Sequence, residues 1–281
     1  MIEIVNEMGV DASEYDYITG IMDYIKSEED MLPGDYSLIA TSFFGDNYAV
    51  KARLPFTKYK SIAFITGDEW NQRPSYLDDP NLALMFKTCV PSAGLHPKLL
   101  PLPLGTYRRF DPTHEYEIVE RSYDATFFGQ VTCPQRQEMA DAMSDYYNTV
   151  NKTIQTRSLY FEYTKKYAAG PVGPYSEIMR DTKIALNPSP GNNVTVDSTR
   201  FFEGMAAGCV VISTRRPHTW FYDGAPYIAI DHWKEAPAII EEVLNSQHYM
   251  EQMSRAAYDW WEKVCSPKAV GKYVIEKIRQ I

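Results

Sequence analysis

Residues Asn187–Ser213 read NPSPGNNVTVDSTRFFEGMAAGCVVIS, a stretch that changes character twice. Two prolines, a glycine and three asparagines fall within Asn187–Asn193, a composition that bends the chain and marks a loop. Ser198–Ala207 carries a helical pattern, and Val210–Ser213 is an apolar run short enough for a buried strand. Loop, helix and strand in that order form half of a crossover connection. Repeated along a chain, such units build a parallel sheet.

The same alternation extends outward on both sides. Upstream of the quoted stretch the pattern predicts strand Asp124–Phe128, helix Gln135–Tyr147, strand Lys152–Thr156, helix Tyr175–Asp181 and strand Lys183–Leu186. Downstream it predicts strand Tyr227–Ile230 and three helical stretches, Trp233–Leu244, Tyr249–Val264 and Pro267–Ile281. The first hundred residues offer strands at Ile2–Val5, Tyr36–Thr41 and Ser61–Thr66 and a helix at Tyr17–Lys26. SIAFIT at Ser61–Thr66 is apolar enough to be covered on both faces. Between them, Pro91–Thr113 holds five prolines and one short strand-like piece, Leu99–Leu104, and reads as a hinge. The expected architecture is therefore α/β with two Rossmann-like domains, 1–112 and 113–281, the last helix free to pack back on the first domain. Parallel sheets bind ligands at the carboxyl ends of their strands, which sets a cleft between the two domains as the expected site.

Composition narrows the partners. The 281 residues carry 28 Lys and Arg against 37 Asp and Glu, a net charge of −9 that opposes a broad nucleic-acid footprint. Cys89, Cys133, Cys209 and Cys265 show no C-x-x-C spacing and read as reduced thiols. No apolar run approaches the length of a membrane span, and MIEIVNEMGVDASEYDY is not a leader, so a soluble, cytoplasmic protein is expected.

Two loops of the second half carry chemistry. After strand Asp124–Phe128, Gly129 lets a ligand approach the backbone, and Arg136 stands in the first turn of the next helix, whose free N–H groups attract anions. In the quoted stretch, Asp197 or Ser198 caps the helix, and its first-turn N–H groups, the Ser198 and Thr199 hydroxyls and Arg200 could hold a diphosphate. Glu203, three residues on, could accept both hydroxyls of a ribose. On spacing alone, a capped helix with a surface Arg200–Glu203 pair explains these residues equally well. Both loops lying at one end of one predicted sheet favours the site, with Asn187, Ser189 and Thr195 on its floor.

The pattern Arg200-x-x-Glu203-x-x-x-x-Gly208-Cys209-Val210-Val211-Ile212, preceded by Ala185-Leu186-Asn187-Pro188, resembles the donor-binding signature of the exostosin-like glycosyltransferases. Phe127-Phe128-Gly129 with Arg136 looks like an earlier segment of the same domain in that family, and Pro103-Leu104-Gly105 like the piece leading into it. The resemblance covers about Asp124–Ile212 well and the first half only weakly. It implies the two-domain GT-B fold, inversion at the anomeric carbon and a nucleotide-diphosphate sugar as donor. Carried over, Ser198 and Arg200 touch the diphosphate, Glu203 the ribose, and Arg136 the phosphate from the opposite loop. Animal members are larger and membrane-anchored. The chain is more similar to the small exostosin-like enzymes of large algal viruses, some of which transfer xylose.

Inverting transfer from a UDP-sugar to a glycan hydroxyl needs a general base, and no metal if helix ends and Arg neutralise the leaving group. Asp68, directly after SIAFIT and Gly67, is the first candidate, with adjacent Glu69 and then Asp46 behind it. A turn-forming Asp at that place is the plainer explanation of Asp68. His96 and His218 each neighbour a proline and read as structural, and no spacing suggests a held metal. Trp70, Tyr76 and Tyr107 could stack on acceptor rings or simply pack. Two other classes remain open: a nucleotide-sugar epimerase of the same architecture, and a non-catalytic binding paralogue.

Overall fold

The computed structural model describes residues 1–8, 14–42, 48–66, 74–88, 90, 96–106, 110, 117–129, 131, 133–153, 159–163, 174–188 and 199–281. Two compact units emerge. The first comprises chiefly Met1–Arg108 and Val264–Ile281, the second Arg109–Asn192 and Asp197–Lys263.

In unit 1, β1 (Ile2–Asn6), β2 (Tyr36–Ser42), β3 (Lys60–Thr66), β4 (Leu82–Lys87) and β5 (Leu99–Pro101) form a parallel sheet in sequential order. Ser61–Thr66 is buried throughout, as the unbroken apolar run requires. On one face, Phe64 stacks on Phe86 at 5.6 Å, and Phe86 meets Tyr273 edge-on at 6.2 Å. On the other, Ala63, Ile65 and Met85 pack with Val50, Leu54 and Leu77. Helix α1 (Tyr15–Ser27) buries Ile18, Ile21, Met22 and Ile25, spaced to share one helical face, while the short α2 (Tyr48–Arg53) adds Val50 to the opposite core.

Unit 2 has β6 (Tyr123–Gly129), β7 (Leu159–Tyr163), β8 (Thr182–Asn187), β9 (Val210–Thr214) and β10 (Ile228–Ile230), all parallel in the order 10-9-8-6-7. Helices α3 (Pro134–Thr153), α4 (Pro174–Arg180) and α5 (Thr199–Ala206) connect the strands. Helices α6 (Ala236–Asn245) and α7 (Gln247–Trp260) follow, then a π-helical turn, Trp261–Cys265, and α8 (Pro267–Ile278). Phe127, Met139, Met143, Ile184, Ile212, Trp233 and Ile240 share one core.

Helix α8 belongs to unit 1. Ser266 caps it by accepting the Ala269 N–H at 3.2 Å, and Pro267 takes the first helical position, where a missing N–H costs nothing. Glycines let it lie close to α1: a Cβ at Gly20 would stand 3.1 Å from Pro267 Cβ, and one at Gly271 would stand 2.5 Å from Tyr24 Cδ1. The Tyr17 hydroxyl donates to the Cys265 carbonyl at 2.7 Å.

Two sequence expectations are corrected. Lys152 and Thr153 are helical, because α3 runs to Thr153, and the strand lies later, at LYFEY of β7. The strand piece expected over Leu99–Leu104 is β5, confined to Leu99–Pro101, and β4, LALMFK, supplies a strand where none was expected.

Candidate functional site

The carboxyl ends of β6 and β8 in unit 2 bring the two chemistry-bearing loops together. The strands are neighbours, in register from Tyr123↔Thr182 to Thr126↔Ala185. The helices that follow them, α3 and α5, start from this carboxyl edge on opposite faces of the sheet, α3 packing on Phe127, Ile184 and Ile212 and α5 on Ala185 and Val211. Arg200 Nε, in the first turn of α5, donates to the Phe128 carbonyl near the end of β6, tying the start of one crossover to the other. Gly129 closes β6, and a Cβ there would fall 2.9 Å from the buried Phe127 ring, so a side chain at this position would need that ring to shift.

Helix α5 is held so that its first turn stays at this edge. Glu203 has no exposed surface. A Cβ at Gly204 would stand 3.0 Å from both Ala185 Cβ and Val211 Cγ2, the close helix–sheet packing that its small residues predict. Phe201 meets Tyr222, Tyr227 and Trp260 edge-on at 5.2, 5.4 and 6.0 Å. At the far end Gly208 takes the left-handed conformation, φ 64°, and the Cys209 N–H returns to the Gly204 carbonyl at 2.8 Å.

Buried Arg121 closes that far end as a strut. Its guanidinium donates to Ala207 O and Thr182 O, both at 2.8 Å, and Ser254 Oγ donates to Gly208 O at 2.6 Å. A cation is thereby set against the negative end of the α5 dipole. Burial pushes the adjacent Cys209 thiol up to about 11, against a smaller opposing pull from Arg121.

Among the described residues, the Thr199 hydroxyl, on a residue 4% exposed, and the buried Oε1 of half-buried Gln135 find no hydrogen-bond partner. Such atoms are costly to bury unpaired, which marks the place where a polar ligand would be satisfied. Arg136 is half-buried in the same turn as Gln135. Gln135 had no signal in the sequence beyond its neighbour Arg136 and the Pro134 that starts the helix. Arg121, an isolated arginine ahead of a strand, had none.

Among the predicted donor residues, the structure brings Gly129, Arg136, Arg200 and Glu203 to one edge. Asn187 is also there, 1% exposed, its amide donating to Ser213 Oγ at 3.0 Å and its carbonyl accepting from that hydroxyl at 3.0 Å, so it clasps the ends of β8 and β9. Ser189, Thr195 and Ser198 lie outside the described residues, as do Asp46, Asp68 and Glu69 and the aromatics Trp70 and Tyr107. Tyr76 packs in the unit 1 core at 6% exposure. His96 accepts the Lys98 N–H at 3.2 Å and faces Asp78 at 3.1 Å, a turn-stabilising role. Exposed His218 lies 3.1 Å from Asp223. Among the described residues no three His, Cys, Asp or Glu side chains gather as a metal site, and no helix is long and apolar enough to cross a membrane.

Two parallel sheets of this kind are those of the GT-B fold. Residues 136–266 match the Glycosyl transferase-like family. Among solved structures, AviGT4, a glycosyltransferase involved in avilamycin A biosynthesis, superposes with a TM-score of 0.60 at 11% identity, covering 100% of this chain and 97% of its own. Alr3699/HepE of Anabaena, solved with UDP-glucose, gives 0.53 at 9% identity over 100% of both chains. WaaG, a glycosyltransferase involved in lipopolysaccharide biosynthesis, gives 0.50 at 9% identity over 99% of both. No curated protein sequence matches the chain.

Proposed function

We propose that the chain transfers a sugar from a UDP-sugar to a hydroxyl of a glycan acceptor, with the donor held at the β6–β8 edge of unit 2. The observation that carries this reading is the juxtaposition of two helix starts, joined by Arg200 on the Phe128 carbonyl, with buried Glu203 and the unpartnered Thr199 hydroxyl on the same short helix. The first-turn N–H groups of α3 and α5, with Arg136 and Arg200, neutralise a diphosphate, the group that gains most negative charge as the sugar leaves. Glu203 accepts the ribose hydroxyls. Its burial strengthens those bonds, because water competes poorly in a low-dielectric site. Thr199 and Gln135 add neutral contacts to phosphate and ribose.

Inversion, and xylose as the sugar, are assigned on the exostosin resemblance. The base that takes the acceptor proton is then Asp68, in the loop after β3, with Glu69 and Asp46 as alternates, and transfer proceeds without a metal. Titration calorimetry tests the donor site: Glu203→Ala is expected to bind UDP roughly ten- to a hundredfold more weakly than wild type. Equal affinity would move the ribose contact elsewhere, and binding of neither UDP nor GDP would remove the donor site. Asp68→Asn is expected to keep UDP affinity and lose transfer. Proton NMR of the product's anomeric centre decides the stereochemistry, and retention would sink the inverting assignment. Transfer that persists in EDTA supports metal independence, and its loss and recovery with Mg²⁺ overturns it.

A further inference from the structure

The carboxyl edge of the unit 1 sheet holds a buried polar pair that the fold leaves unsatisfied. β3 ends at Thr66, and its ladder to β4 continues one residue past Lys87, where the Thr88 N–H donates to the Ile65 carbonyl at 3.0 Å. The register Phe64↔Phe86 and Ile65↔Lys87 is thereby carried on, and Thr88 stands beside Thr66. Side chains alternate along a strand, so the two threonines share the face of Phe64 and Phe86, the stacked pair that meets Tyr273 of α8. Both threonines are 0% exposed, and neither Oγ1 finds a hydrogen-bond partner among the described residues.

An unpaired buried hydroxyl is a cost that valine, equal in shape and well suited to a strand, would remove at either position. Here two such hydroxyls sit on neighbouring strands, about 4.8 Å apart. Lys87, the cation of the same strand end, is wholly buried and shares the face of Met85 on the other side of the sheet. The row of the two threonines is therefore neutral. Its floor is aromatic, and its polar atoms are hydroxyls alone.

We propose that Thr66 and Thr88 form a subsite for an uncharged sugar, their hydroxyls bonding two of its ring hydroxyls. The carboxyl ends of parallel strands are where such sheets receive ligands. A hydroxyl both donates and accepts, so it suits another hydroxyl in either sense, whereas a phosphate or carboxylate calls for a cation or a fixed N–H. Neither Oγ1 is open to solvent, so a sugar takes the place of what covers them, and the unsatisfied pair favours that exchange. Only the role of the subsite rests on the glycosyl-transfer reading: the sugar is then the acceptor, held at the strand end from which the chain runs through Gly67 to Asp68.

Titrations of the full chain followed by saturation-transfer NMR test it, with methyl β-xyloside, methyl β-galactoside and methyl β-glucuronide as probes. At least one of the two neutral glycosides is expected to bind. T66V/T88V is expected to bind it roughly tenfold or more weakly, at unchanged UDP affinity and with a melting temperature at or above that of wild type. T66S/T88S, which keeps both hydroxyls, is expected to bind like wild type. Binding of neither neutral glycoside, tighter binding of the glucuronide, or equal binding by wild type and T66V/T88V overturns the proposal. So does a lower melting temperature in T66V/T88V, which would show the hydroxyls paired within the fold. Calorimetry reads UDP separately: a chain that binds a neutral glycoside through Thr66 and Thr88 but binds no UDP loses the donor site and keeps this one.

Discussion

Glu203 sits fully buried in an eight-residue helix, a position that disfavours a charge unless the fold or a ligand supplies partners. The pattern Arg-x-x-Glu before Gly-Cys made Glu203 and Arg200 legible, because local spacing alone places them within one turn of each other. Arg121 and Gln135 were not legible. Arg121 acts on Ala207 and Thr182, residues far away in sequence, and no local pattern records that contact. Cys209 has a consequence for stability at high pH. Its folded pKa of about 11 stands above its ordinary 9.0, so the thiol's contribution is complete below pH 9 and is lost as pH rises toward 11. The whole loss is on the order of 3 kcal/mol. Melting curves from pH 8 to 11 are expected to fall more steeply for wild type than for Cys209→Ala, and parallel curves would count against a buried neutral thiol.

At the scale of elements, α5 is placed by contact with the sheet rather than by propensity. Substituting Gly204 with valine would drive methyl groups into Ala185 and Val211, each already 3.0 Å from an added Cβ. A loss of about 2 kcal/mol or more is expected, read as a lowered denaturant midpoint, together with weaker UDP binding as the helix start is displaced. Gly204→Ala is expected to show the same effects in smaller measure, and a variant as stable as wild type would refute the tight packing. Strands β3, β6, β8 and β9 were readable because short apolar runs between turn signals admit little else. β4 was not: Leu, Ala, Met and Lys are good helix formers, and LALMFK is a strand because β3 and β5 pair with it on either side. β7 was misplaced because α3 continues past Tyr147 on polar residues that carry no strong apolar stripe to mark its end.

For the whole molecule, the chain leaves unit 1, forms unit 2, and returns at Val264 to complete unit 1 with α8. Ending the chain after Val264 would remove the helix that packs on Gly20 and Tyr24 of α1 and the Cys265 carbonyl that accepts from Tyr17, and would bare that face of α1 at roughly 1.5–3 kcal/mol for each large apolar side chain left fully exposed. Limited proteolysis of that truncated chain is expected to digest unit 1 and leave a resistant fragment from unit 2. Equal protection of both units would show that α8 is dispensable.

The sequence by itself determined the α/β class, the parallel crossovers of the second half and the Arg200–Glu203 helix, because those features are written in periodicity and turn chemistry within a few residues. Only the tertiary structure decided that LALMFK is a strand, that Arg121 bolts α5 from behind, and that α8 belongs to the first sheet. These depend on which distant segments pack together, and packing energy, unlike local propensity, is shared between residues that the sequence keeps apart.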